Sequence, residues 1–143
     1  MRFSDELALV HKLADIADKI SMDRFLALDL SVETKPDLSP VSDADKSVEL
    51  ALRAAIQEKY PSDSIIGEEF ANTTGSSKRA WVIDPIDGTA NFVRGVPVWC
   101  TLISLMEDGV SMVGMVSAPA LNRRWYAAEG AGAFTQFGET SPR

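Results

Sequence analysis

The sequence predicts an α+β fold: two N-terminal helices packed on an antiparallel meander sheet. Three observations carry this expectation. Apolar residues recur at helical spacing over Leu9, Leu13, Ile16 and Ile20, and again over Val48, Leu52, Ala55 and Ile56, which is the period of helices with one buried face. From Ser64 onward the pattern changes to short β-branched and aromatic runs broken by Gly, Pro, Asn and Asp, the punctuation of strands. Glu107-Asp108-Gly109 stands between two such runs and is a strong hairpin signal. Helices first and strands afterwards is an α+β order rather than an alternating α/β one.

Each element follows from local chemistry. Ser4 is placed to cap the first helix, with Asp5 and Glu6 in its first turn, where negative charge meets the positive end of the helix dipole. Val10, Ala14 and Ala17 widen its apolar stripe, and His11 falls off it. Periodicity fades from Leu28 to Val41, and Lys35-Pro36-Asp37 with Ser39-Pro40 marks a connector. Ser42 caps a second helix that runs to about Tyr60, with Pro61 just beyond,. Asp43 and Asp45 in its first turn read, on residue type alone, as partners of the helix dipole. Ser64-Ile65-Ile66 leads as a short strand into Gly67-Glu68-Glu69. Adjacent strand residues point to opposite faces, so only one of the two glutamates should enter a site, and Glu68 is the choice. Asn72 to Lys78 is rich in Thr, Ser and Gly and reads as a surface loop tolerant of insertion.

Further on, Ala90 to Val93 reads as a short helix and Arg94 to Pro97 as a turn. Val98 to Met106 is a strand apolar on both faces, hence one expected to be covered on both sides. Val110 to Ser117 returns as its partner, Arg124 to Ala128 follows, and residues 136–143 show no clear element. Met106, Met112 and Met115 are core filler. Gly130-Ala131-Gly132 opens no helix, so it is not a dinucleotide loop.

Composition narrows the function classes. A chain of 143 residues, 45% of them hydrophobic, is long enough for one domain with its own core. Its net charge of −7 makes it a poor partner for nucleic acid, whose affinity rests on Lys and Arg. Cys100 is the only cysteine and lies in an apolar run, so no disulfide closes within the chain and the thiol should be buried and inert. One His and one Cys leave no zinc ligand set. Residues 1–6 lack a signal-peptide core, and the longest apolar run falls far short of the ~20 residues that span a bilayer. A cytoplasmic protein with neither nucleic-acid nor membrane partners is the expectation.

The chemistry concentrates in Trp81-Val82-Ile83-Asp84-Pro85-Ile86-Asp87-Gly88-Thr89. Trp81 to Ile83 form a strand, and Pro85 should end it at Asp84. Asp84 and Asp87 then bring two hard oxygen ligands to one turn. Gly88 admits a backbone conformation closed to other residues, and Thr89 can start a helix whose free N–H groups face an anion. Hard oxygens beside an anion cradle suit a divalent cation facing a phosphate.

Asp84-Pro85-Ile86-Asp87-Gly88-Thr89 resembles the signature of the inositol monophosphatase family of Mg²⁺-dependent phosphomonoesterases, and Gly67-Glu68-Glu69 resembles its second motif. The tracts Asn91 to Trp99 and Ala118 to Trp125 are most similar to the histidinol-phosphate phosphatases of that family. The resemblance runs nearly end to end and covers only the N-terminal half of a typical member, so residues 1–143 are expected to be the first part of that layered fold.

The resemblance implies a site. Glu68, Asp84 and the Ile86 carbonyl would hold one Mg²⁺, and Asp84 and Asp87 a second. A complete site would take two or three ions, with Mn²⁺ as the alternative metal. Asp45 and Thr89 would form the catalytic pair, and the Gly88 and Thr89 N–H groups would bind phosphate. Lys35 resembles a lysine of the family's mobile loop, and Arg94 sits in the histidinol-phosphatase-like tract. The expected partner is a small phosphorylated substrate: histidinol phosphate, which would place the chain in histidine biosynthesis, or inositol monophosphate. A homodimer is the oligomeric state the family implies. One departure stands out. The family carries a further ligating aspartate after a tryptophan in its second half, whereas here Trp81, Trp99 and Trp125 precede Val82, Cys100 and Tyr126. A truncated, non-catalytic remnant that binds metal or a partner is therefore the alternative.

Overall fold

The computed structural model describes residues 2–143. Two helices, α1 (Ser4–Arg24) and α2 (Asp43–Lys59), lie on one face of a six-stranded sheet. Its strands are β3 (Ser64–Gly67), β4 (Arg79–Asp87), β5 (Cys100–Glu107), β6 (Val110–Ala118), β7 (Arg123–Ala128) and β8 (Gly132–Phe137), adjacent in chain order. A separate hairpin, β1 (Val32–Thr34) with β2 (Pro40–Ser42), occupies the stretch expected to be a plain connector, and α3 (Thr89–Val93) follows β4. The α+β class and the helix layer are as expected.

The sheet is mixed rather than wholly antiparallel. From β4 to β8 it is the antiparallel meander, but β3 pairs with β4 in parallel. A parallel neighbour needs a return connection, and residues 68–78 supply one that is pinned at its far end. Asp63 accepts hydrogen bonds from Ser77 Oγ at 2.8 Å, Arg79 Nε at 3.2 Å and Trp81 Nε1 at 2.9 Å. A Cβ on Gly75 would lie 2.1 Å from the Ser62 carbonyl oxygen, so only glycine permits the approach. The loop from Asn72 to Lys78 is thus tied to the body of the fold, which corrects its reading as a segment open to insertion.

The core lies between the helices and this sheet. Leu9, Val10, Leu13, Ala14 and Ala17 of α1 meet Val48, Leu52 and Ile56 of α2 over Ile65, Trp81, Ile83, Ile103, Leu105, Val113 and Met115. Ser4 is the first residue of α1 rather than its cap. Phe3 holds that position and is buried, so packing rather than a side-chain hydrogen bond fixes the start. Asp108 and Gly109 have φ of 51° and 78°, the pair of positive angles a two-residue hairpin requires.

Burial alternates along β5: Thr101, Ile103 and Leu105 are buried, and Cys100, Leu102 and Ser104 are half-buried. The expected cover on both faces is therefore present on the helix side alone. On the other side Val82, Leu102, Val116 and Trp125 line an open cleft of about 840 Å³ that ends at Glu68 and Asp84. An apolar strand pattern shows that a face can be buried, not what buries it. Among the described residues no helix is long and apolar enough to cross a membrane.

Candidate active site

Strand register assembles the acidic pocket. In the parallel β3–β4 pair Gly67 lies opposite Ile83, so Glu68, just past the end of β3, follows beside Asp84 within β4. Along β4 the pairing with β5 slips. Asp84 faces Leu102 and Asp87 faces Cys100; three steps on β4 thus match two on β5. Side chains alternate with a period of two, and Leu102 and Cys100 share one face. The single extra residue therefore puts Asp84 and Asp87 on the same face as well. Pro85, expected to end the strand, instead sits in this bulge, and β4 continues to Asp87. A bulge is where a sheet tolerates a missing N–H.

Gly88 follows at φ 88°, as the N-cap of α3, and a Cβ there would stand 3.1 Å from the Val98 carbonyl oxygen. The positive φ favours glycine, and the close approach leaves little room for a side chain,. Thr89 Oγ1 lies 2.8 Å from Asp45 Oδ1 and 3.0 Å from the Ile86 carbonyl oxygen. Asp45 is buried, and its other oxygen accepts from Ser42 N at 2.8 Å and Ser42 Oγ at 2.6 Å. Ser42 and Asp45 form a capping box at the start of α2, so the contact that caps the helix also fixes the Asp45 carboxylate.

Electrostatics mark the pocket as crowded. Burial, and then the charges of Glu68, Asp87, Asp45 and Glu69, push the Asp84 carboxyl up to about 7. Burial also raises the Glu69 carboxyl, against the pull of Lys35. Lys35 Nζ, carried on the β1–β2 hairpin, is 3.0 Å from Glu69. Glu69, set aside in favour of Glu68, thus stands at the pocket too, because both residues lie beyond the end of β3, where strict strand alternation no longer applies. Arg94 is exposed at the end of α3. Cys100 is half-buried, and its thiol is pushed up to about 11 by burial and by Asp87 and Asp84. His11 stacks edge-on against Tyr126, with ring centroids 4.3 Å apart.

Among the described residues no three His, Cys, Asp or Glu side chains already form a metal-holding group. Glu68, Asp84 and Asp87 are neighbours by charge and by backbone register. The donor chemistry still fits a hard dication: every candidate atom is oxygen, and the negative charge is in excess.

One buried acid escaped the reading of the sequence. Glu49 lies four residues after Asp45 on α2, fully buried, and accepts backbone N–H groups from Glu69 and Phe70. Its only trace in the sequence is its place between Val48 and Leu52 on a helix whose stripe turns inward.

Comparison with known proteins agrees with this layout. The inositol monophosphatase family matches residues 5–142. The histidinol-phosphatase of Mycobacterium tuberculosis is 55% identical over 96% of this chain and 53% of its own length. That of Streptomyces coelicolor is 58% identical over 93% of this chain and 51% of its own. Among solved structures, an IMPase of Thermotoga maritima superposes with a TM-score of 0.84 at 34% identity, covering 92% of this chain and 51% of that one. The chain spans about half the length of the curated relatives it matches.

Proposed function

The chain belongs to the inositol monophosphatase family, and on that premise we propose that its acidic pocket is the metal- and phosphate-binding part of a site that hydrolyses a small phosphate monoester. The observation that carries the reading is the strand register: the parallel pair sets Glu68 beside Asp84, and the β4 bulge turns Asp87 to the same face. Histidinol phosphate is the favoured substrate, because relatives above 50% identity are histidinol-phosphatases. Inositol monophosphate is the second choice.

In this reading Glu68, Asp84 and the Ile86 carbonyl would hold one Mg²⁺, and Asp84 and Asp87 would hold a second. Such ions would supply Lewis acidity and offset charge on the phosphate. The chain itself does the rest. Thr89 Oγ1 has one proton and two acceptors in reach, Asp45 and the Ile86 carbonyl. When the proton points to Asp45, an Oγ1 lone pair is free to accept a hydrogen bond from water in the pocket. Asp45, fixed by Ser42, can then take the Thr89 proton as water gives one up. The Gly88 and Thr89 N–H groups orient a phosphate oxygen. Positioning and charge neutralisation are the main demands of phosphoryl transfer.

Calorimetric titration with Mn²⁺ and Mg²⁺, followed by phosphate release from histidinol phosphate and inositol phosphate, tests the proposal. Asp87→Asn should fold normally and bind metal at least about 10-fold more weakly. Equal affinity in the variant and the parent would reject the site. Metal binding with no phosphate release from any monoester would reject hydrolysis and leave a binding role.

A further inference from the structure

Helix α2 carries two buried acids one turn apart. Asp45 reaches the Thr89 loop, and Glu49 reaches the segment that bears Glu68. The Glu49 side chain is 0% exposed. Its Oε1 accepts the Glu69 N–H at 2.8 Å, and its Oε2 accepts the Phe70 N–H at 3.0 Å and Arg53 Nε at 3.0 Å. Arg53 extends the clamp by donating from Nη2 to the Phe70 carbonyl oxygen at 3.1 Å and from Nη1 to Thr73 Oγ1 at 3.3 Å. On the other side of Glu68, a Cβ on Gly67 would fall 2.5 Å from Glu49 Oε2. The Glu49 carboxylate thus packs directly on the Gly67 Cα, and any side chain at position 67 would displace it.

We infer that Glu49 is a positioning residue that sets the place of Glu68 and so the metal affinity of the pocket. The inference rests on the reading of Glu68 as a metal ligand. The contacts support it by their placement. The carboxylate packs against the residue before Glu68 and accepts the N–H groups of the two residues after it, and it does so from the helix that also anchors Asp45. A buried ion pair such as Glu49–Arg53 is by itself a weak source of stability. Two backbone N–H groups accepted by one carboxylate instead fix a loop geometrically. Partners that orient a metal ligand from behind typically account for 10–100-fold in affinity.

The experiment is Mn²⁺ binding followed by electron paramagnetic resonance, together with amide hydrogen exchange, on the parent chain and on Glu49→Gln, Gly67→Ala and Glu68→Gln. The glutamine keeps the shape but turns one acceptor into a donor, so one of the two loop amides must lose its partner. Gly67→Ala keeps the carboxylate and displaces it. Both should bind Mn²⁺ about 10–100-fold more weakly with unchanged circular dichroism, and the Glu69 and Phe70 amides should exchange faster. Should Glu49→Gln fail to fold, Gly67→Ala decides. Parent-like binding in both, with weakened binding in Glu68→Gln, overturns the role of Glu49 and leaves that of Glu68. Parent-like binding in Glu68→Gln, or no Mn²⁺ binding by the parent, overturns the reading of the pocket and this inference with it.

Discussion

Asp84→Asn probes the charge crowding of the pocket through stability alone. In the folded chain, burial and then the charges of Glu68 and Asp87 hold the Asp84 carboxyl up at about 7, against an ordinary 3.8. Between those values the folded state keeps a proton that the unfolded chain has given up. The contribution of this group is therefore fully present below about pH 4 and lost as the pH rises through about 7. At ~1.4 kcal/mol per pH unit the ceiling is ~4 kcal/mol. Because Asp84 is only half-buried, solvent screening lowers the expectation to about 1–2 kcal/mol. Asparagine cannot ionise, so the variant avoids the loss, and among the described residues Asp84 has no side-chain hydrogen bond to forfeit. Urea unfolding in the presence of a chelator, at about pH 4 and about pH 8, gives the test. The stability of Asp84→Asn relative to the parent should rise by about 1–2 kcal/mol between the two conditions. With Mg²⁺ added the order should reverse, because a ligand that binds the folded parent stabilises it by mass action. A difference that stays constant with pH would refute the crowding argument.

Two further outcomes follow from the same structure. Cys100 is held at about 11 rather than 9.0, so its thiolate is about 100-fold scarcer near pH 8 than in the unfolded chain. Alkylation by iodoacetamide should be slower in the native protein by at least that factor, and similar rates in native and urea-unfolded protein would contradict it. Trp81→Phe removes the donor that reaches Asp63 at 2.9 Å and should cost about 1–3 kcal/mol in thermal or urea unfolding. A loss under about 0.5 kcal/mol would show that the return from β3 to β4 does not depend on this bond.

The helices were legible because their signals are local. The apolar spacing of α1 and α2 and the Ser42 cap need no knowledge of the rest of the chain. The mixed sheet was not, because whether β3 runs with or against β4 depends on the path of residues 68–78, and that path is set by Gly75 against Ser62 and by Asp63 reaching three donors. The pocket was legible where residue types coincide in one short string, as from Asp84 to Thr89. Glu49 was hidden because a glutamate followed four residues later by Arg53 looks like an ordinary surface pair on a helix. Only the burial of that turn distinguishes it. Glu69 was set aside by extending strand alternation one step past the last residue of β3.

The extra residue in β4 sets the face on which its last residue, Asp87, emerges. A strand counts in twos, and the Asp-Pro-Ile-Asp string spaces its acids by an odd number. On an ideal ribbon the second aspartate would point through the sheet toward the oily layer under α1 and α2. Deleting Ile86 alone would space the two acids evenly but shorten the detour that delivers Gly88 to its left-handed corner. Exchanging one carboxylate for another at position 87 keeps this parity, whereas a change of length between the two acids turns the last side chain of the strand to the opposite face,.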